Sequence, residues 1–156
     1  MTTIVCDREG MAADTRVTGV GAIYHAPKIF RIGTSLFGTA GHGSMCLVMI
    51  EWLKTARNRD RLYKQWGDYE RSEIVLVELR PGGIYLWDGW GVEERINDKT
   101  YAIGSGSMAA LAALRKGESL EDSVREAIPL DECTGGDVQV EYLLPPELAR
   151  KRRKRA

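Results

Sequence analysis

Apolar and β-branched residues open the chain in short runs rather than in long periodic stretches. Thr3–Asp7 and Met11–Asp14 read as strands on either side of an Arg8-Glu9-Gly10 turn. Arg16 to Tyr24, rich in glycine and β-branched residues, suits strand or extended loop, and Lys28–Ile32 and Leu36–Ala40 are two further strands. The spacing then changes to the helical period. Cys46, Leu47, Ile50, Leu53 and Lys54 share a helical stripe, with Ser44 placed to cap its start, and the polar stretch "ARNRDRLYKQWGDYERS" carries that helix into a loop. "EIVLVELRPGGIYLWDG" is a hairpin around Pro81-Gly82-Gly83. "TYAIGSGS" predicts a strand and "SMAALAALRK" a short helix. Ser119 and Asp122 form a capping pattern for another helix that Pro129 ends or kinks, and "DVQVEYLL" is a last strand stopped by Pro145-Pro146.

Strands and helices segregated in this way predict an α+β fold with mostly antiparallel pairing. The chain length fits one domain, taken as residues 1–149 and followed by a basic, disordered tail at 150–156. Six of the 22 basic residues lie in that tail, leaving 16 against 22 acidic residues in 1–149, a formal charge of −6. An acidic body without a basic stripe argues against nucleic acid as a partner. The longest apolar run, near "MCLVMI", is too short to cross a membrane, and no signal-peptide pattern opens the chain, so the expectation is a cytoplasmic protein without a membrane partner. Three scattered cysteines, Cys6, Cys46 and Cys133, fit reduced and mostly buried thiols.

Several familiar motifs are absent or incomplete. "GSGSMA" at Gly104–Ala109 has the spacing of a dinucleotide loop. The βαβ unit it requires would consume nearly all the remaining chain, so no nucleotide cofactor is expected. His42 and Cys46 are i,i+4 but lack a second ligand pair, so no metal is expected. His25 reads as a surface residue, and no G-x-S-x-G elbow occurs. More informative are Thr2, directly after the start methionine, and Lys28 at the head of an apolar strand. Burying that ammonium requires a carboxylate, and Asp14 at the end of the second strand is a candidate partner.

"TTIV", "AADTRVT", "KIFRI", "FGTAGHGS", "AIGSGS" and "DECTGG" follow one another in the order seen in proteasome β-type subunits. The chain thereby resembles the HslV-like threonine peptidases over residues 2 to about 144. That resemblance implies an N-terminal-nucleophile hydrolase fold, a four-layer αββα sandwich of two antiparallel sheets between helices. It implies a nucleophile at Thr2 after loss of Met1, with Asp14, Lys28, Ser105, Asp131 and Thr134 as its catalytic neighbours and the Gly41 N–H as oxyanion donor. Thr18 matches the residue whose backbone holds substrate as an added strand, and Ala26, Thr39 and Gly43 match the lining of the first specificity pocket. The chain between Ser105 and Asp131 is shorter than in the family, and Pro129 falls where the family has continuous helix.

These residue types suit the chemistry. A hydroxyl needs a base to become a nucleophile, and an α-amine with an unperturbed pKa of roughly 7.7–8.0 is one near neutrality. The resemblance further implies a homo-oligomeric stacked double ring, an HslV-like dodecamer. It implies unfolded polypeptide as substrate and an ATP-dependent unfoldase as partner, with no cofactor of its own. Two other readings are a non-catalytic ring scaffold and an N-terminal-nucleophile amidase acting on a small amide.

Overall fold

Three apolar cores, one between each pair of neighbouring layers, stack the chain as helices, sheet, sheet and helices. The computed structural model describes residues 2–19, 21–55, 57–64 and 73–144. The first sheet holds β1 (Thr3–Cys6), β2 (Gly10–Asp14), β10 (Tyr101–Gly104) and β11 (Val138–Tyr142), in the order β10-β1-β2-β11 with every pair antiparallel. The second holds β5 (Ile29–Ile32), β6 (Ser35–Gly41), β7 (Ile74–Arg80), β8 (Gly83–Asp88) and β9 (Glu93–Ile96), antiparallel and in sequence order. A separate hairpin pairs β3 (Arg16–Gly19) with β4 (Ala22–His25). Helices α1 (Gly43–Lys54) and α2 (Arg59–Tyr63) lie with the second sheet, and α3 (Ser107–Arg115) and α4 (Leu120–Ala127) cover the first. This is the predicted α+β, four-layer αββα arrangement.

The two-residue period of a strand assigns side chains to cores. Ile4, Cys6, Met11 and Ala13 of the first sheet meet Leu36, Ala40, Val77 and Leu79 of the second. The intervening Val5 and Ala12 meet Ala110, Leu120 and Val124 of the helices. β1 is therefore buried on both faces, and its sequence reads as an unbroken apolar run. On the far side Phe37, Leu76 and Trp87 pack against Met49, Ile50 and Trp52 of α1. Gly38 sits where the two sheets pack closely: a Cβ there would lie 2.7 Å from Met11 Sδ and 2.9 Å from Ile4.

Local signals explain most boundaries. Asp7 Oδ1 accepts from the Glu9 and Gly10 amides at 2.7 and 2.8 Å, which fixes the β1–β2 turn. Ser119 Oγ accepts the Asp122 N–H at 3.1 Å as the predicted cap of α4. Arg16 to Tyr24 is a hairpin rather than a loop. Other expectations fail. The N-cap of α1 is His42; Ser44 lies inside the first turn and bonds His42 Nδ1. Leu47 is exposed, because the stripe facing the sheet is Cys46, Met49, Ile50 and Leu53, and Leu47 is rotated about 100° from it. α1 stops at Lys54, and α2 is a separate short helix. β9 escaped notice because its Glu93, Glu94 and Arg95 are exposed edge-strand charges rather than an apolar run. The Pro145-Pro146 stop and the tail at 150–156 lie outside the described residues. Among the described residues no helix is long and apolar enough to cross a membrane.

The tight approach at Gly38 generates a test. Gly38→Val should push the sheets apart at a cost of about 1–3 kcal/mol, lowering the melting temperature by about 3–10 °C in a chain of this size. An unchanged melting temperature would show that the inter-sheet contact is loose.

Candidate active site

One end of the sandwich collects the start of β1, the ends of β2, β6 and β10, the residue before β5 and the turn leading into β11. Asp14, the last residue of β2, is wholly buried there. Its Oδ1 accepts the Thr3 N–H at 2.8 Å and Lys28 Nζ at 2.8 Å, and its Oδ2 accepts the Gly135 N–H at 3.1 Å. Three segments far apart in sequence thus converge on one carboxylate. The Asp14–Lys28 ion pair is 5% and 0% exposed at the lysine and aspartate side chains, so water cannot replace either partner. Burial pulls the Lys28 ammonium below its usual range, and the Asp14 carboxylate opposes that pull through its hydrogen bond and charge. Lys28 lies one residue outside β5, with its carbonyl accepting Thr39 N–H at 3.0 Å.

A second network adjoins the first. Asp131 Oδ2 accepts Ser105 Oγ at 2.6 Å and also the Thr134 hydroxyl, while the Cys133 N–H reaches Oδ1 at 3.3 Å. Burial works to raise the Asp131 carboxyl, but the Ser105, Thr134 and Cys133 hydrogen bonds hold it below the ordinary carboxylate range. Thr134 Oγ1 also bonds Thr3 Oγ1. Since the single Thr134 proton goes to Asp131, the Thr3 hydroxyl is the donor to Thr134. A relay of hydroxyls therefore runs from Thr3 through Thr134 to an ionised carboxylate shared with Ser105. Gly106 makes room for it: a Cβ there would lie 2.2 Å from Thr3 Oγ1 and 2.8 Å from Thr134 Oγ1. Asp131 lies within hydrogen-bond reach of Ser105: α4 ends at Ala127, and the Asp131 N–H bonds the Ala127 carbonyl at 3.0 Å.

The structure therefore brings together Asp14 with Lys28, and Ser105 with Asp131 and Thr134. Thr2 is buried at the mouth of β1, one residue before the Thr3 that touches both networks. Gly41 ends β6 exposed, at φ +120°, where a Cβ would fall 1.8 Å from the Glu73 carbonyl oxygen. Thr18 is exposed on β3, opposite Ile23. Ala26 is half-buried with its N–H on the Thr15 carbonyl, Thr39 is buried on β6, and Gly43 begins α1 facing open space. His25 is exposed as expected, but it belongs to β4 and its Nδ1 lies 3.1 Å from Thr15 Oγ1. Among the described residues, no group of three or more His, Cys, Asp or Glu could hold a metal.

Sequence reading missed Thr3, Gly106, Gly135 and Arg16. Arg16 straps the 132–135 turn through its N–H to the Gly135 carbonyl and its guanidinium to the Glu132 carbonyl. The quoted motifs "TTIV", "AIGSGS", "AADTRVT" and "DECTGG" contain these residues, but nothing in them gives the contacts that each residue makes. The buried carboxylate makes a direct prediction. Asp14→Ala removes the buried acceptor of the Lys28 ammonium and of two amides, and should cost about 3–5 kcal/mol in urea unfolding. A loss below about 1 kcal/mol would mean that Asp14 is not the structural centre of this end.

No family model matches the chain, and no curated protein matches it. Solved structures do. Thiobacillus denitrificans BPH is 23% identical, with a TM-score of 0.68, over 92% of this chain and 100% of that one. The same protein in complex with epoxomicin matches at 23% identity and a TM-score of 0.68, over 93% of this chain and 100% of that one. Eukaryotic HslV from Trypanosoma brucei is 24% identical, with a TM-score of 0.69, over 90% of this chain and 98% of that one. These likenesses establish that the chain has the HslV-type, N-terminal-nucleophile hydrolase fold.

Proposed function

We propose that this protein is a threonine-type endopeptidase of the HslV kind, with Thr2 as its nucleophile once Met1 is removed. The observation that carries the reading is the Lys28 ammonium, buried on Asp14, whose carboxylate also holds the amide of the residue after Thr2. A cation buried at the head of β1 serves little structural purpose that an apolar pair could not serve as well. It does serve an adjacent α-amine, by favouring the neutral form that acts as base.

The chemistry follows in two steps. The Thr2 amine takes the Thr2 hydroxyl proton as Oγ1 attacks the substrate carbonyl carbon. The resulting oxyanion is met by the Gly41 N–H, a donor of the type worth about 10²–10³ in rate. The ammonium then returns its proton to the leaving amine as the peptide C–N bond breaks, leaving an ester on Thr2. Water, deprotonated by the same amine, attacks that ester; the Thr2 Oγ1–C bond breaks, the ammonium returns its proton to Oγ1, and the acid product leaves. Ser105, Asp131 and Thr134 orient the amine through their hydroxyl–carboxylate relay, and Lys28 stabilises the developing alkoxide. Thr18 holds substrate as an added strand, and Ala26, Thr39 and Gly43 line a small uncharged first pocket, which suits unfolded polypeptide. We further read the active form as a homo-oligomeric double ring in the cytoplasm, supplied by an ATP-dependent unfoldase. The structural relative solved in complex with epoxomicin supports the peptidase part of this reading.

The active protein should have an intact mass beginning at Thr2. Thr2→Ala should abolish peptide hydrolysis without loss of fold, Thr2→Ser should retain part of it, and epoxomicin should block the wild type. Robust hydrolysis by Thr2→Ala, or by protein retaining Met1, would falsify the mechanism. Light scattering should give a particle many times 17.4 kDa, and a stable monomer would remove the ring.

A further inference from the structure

We infer that Gln139 is a positioning residue for Lys28: its side-chain amide clamps the open edge of β5 and thereby sets where the Lys28 ammonium sits. The inference rests on the proposed mechanism for its catalytic consequence, but its geometry stands apart from it. Among the described residues β5 is an edge strand, paired on one side with β6 and with no strand on the other. At its head the unpaired side is occupied by Gln139. Its Oε1 accepts the Lys28 N–H at 3.0 Å and the Ile29 N–H at 3.1 Å, and its Nε2 donates to the Ile29 carbonyl at 2.9 Å. One side chain thus supplies the two hydrogen bonds at Ile29 that a neighbouring strand would otherwise supply, and a third to the Lys28 N–H just before the strand.

The location gives those bonds a second effect. Along β11, Val138 and Val140 point to the helices, so the alternation turns Gln139 toward the second sheet. In register Gln139 faces Ala13, and Val138 faces Asp14. The main chain of Lys28 is therefore tied to β11, the strand beside β2, while its ammonium is tied to Asp14 at the end of β2. Two attachments to one sheet fix both ends of a four-carbon stem that otherwise carries about 2 kcal/mol of rotamer entropy. Among the described residues the two sheets share no backbone ladder, and these side-chain links join them at the site. Glutamate at 139 would keep an acceptor for both N–H groups but lose the donor to the Ile29 carbonyl. Asparagine, one methylene shorter, would not reach.

The experiment compares the wild type with Gln139→Ala, Gln139→Asn and Gln139→Glu as full-length assembled proteins. It reads kcat, KM and the pH dependence of kcat/KM on a peptide substrate. In parallel, 13Cε NMR follows the Lys28 titration and amide exchange is measured at Lys28 and Ile29. Gln139→Ala and Gln139→Asn should lower kcat by about tenfold or more, as small misplacements of catalytic groups do, with KM within about twofold. The acid limb of kcat/KM should move to higher pH as the cation retreats from the amine, and Lys28 should titrate closer to the usual lysine range. Gln139→Glu should fall between these variants and the wild type. Faster amide exchange with kcat, acid limb and Lys28 titration all unchanged would make the clamp purely structural and overturn the proposal. A wild type without peptidase activity would defeat the proposed function instead, and the Lys28 titration would still judge the clamp.

Discussion

The site end of this molecule depends on one buried carboxylate. Asp14 receives an amide from β1, an ammonium from the head of β5 and an amide from the turn before β11. Each donor belongs to a different part of the sandwich, and none can be hydrated in its place. Moving an ammonium and a carboxylate out of water costs several kcal/mol per ion, and only close geometry with further hydrogen bonds offsets it. Here the bonds are close and Asp14 is fully satisfied. The cost that remains lies on Lys28, whose protonated form is weakened by burial. A charge held under that tension is a poor choice for stability and a good one for tuning a neighbouring amine.

The rest of the fold can be read as what keeps this arrangement in place. Gly38 lets the sheets approach closely enough for a lysine on one to reach an aspartate on the other. Gly106 leaves room for Thr3 and Thr134 to meet. Arg16 holds the turn that presents Gly135 to Asp14 and carries Asp131 and Thr134. Under the proposed mechanism stability and chemistry share residues here, so substitutions at these positions need separate readouts of folding and turnover.

Much of the architecture was legible along the chain because its signals are local. The Asp7 turn, the Pro81-Gly82 hairpin and the Ser119 cap each rest on residues within a few positions. The misreadings share a cause. Ser44 and Leu47 fit a helix pattern in isolation, but the face packed on the second sheet decides which turn begins the helix and which leucine stays outside. β9 carries no apolar alternation because it lies at the sheet edge with Glu93, Glu94 and Arg95 exposed. At the site, Asp14 and Lys28 were readable as types, since a lysine in an apolar run demands an acid. Thr3, Gly135 and Gln139 were not, because their roles come from contacts 11, 121 and about 110 positions away.

The account turns on whether the buried cation acts on the N-terminal amine. The direct measurement is the titration of the Thr2 α-amine, by 15N NMR on protein labelled at threonine, in the wild type and in Lys28→Met. The account predicts an amine that titrates below the roughly 7.7–8.0 of an unperturbed α-amine in the wild type and returns toward that range in Lys28→Met. An amine at the ordinary value in both, or an N-terminus still blocked by methionine in active protein, would contradict it.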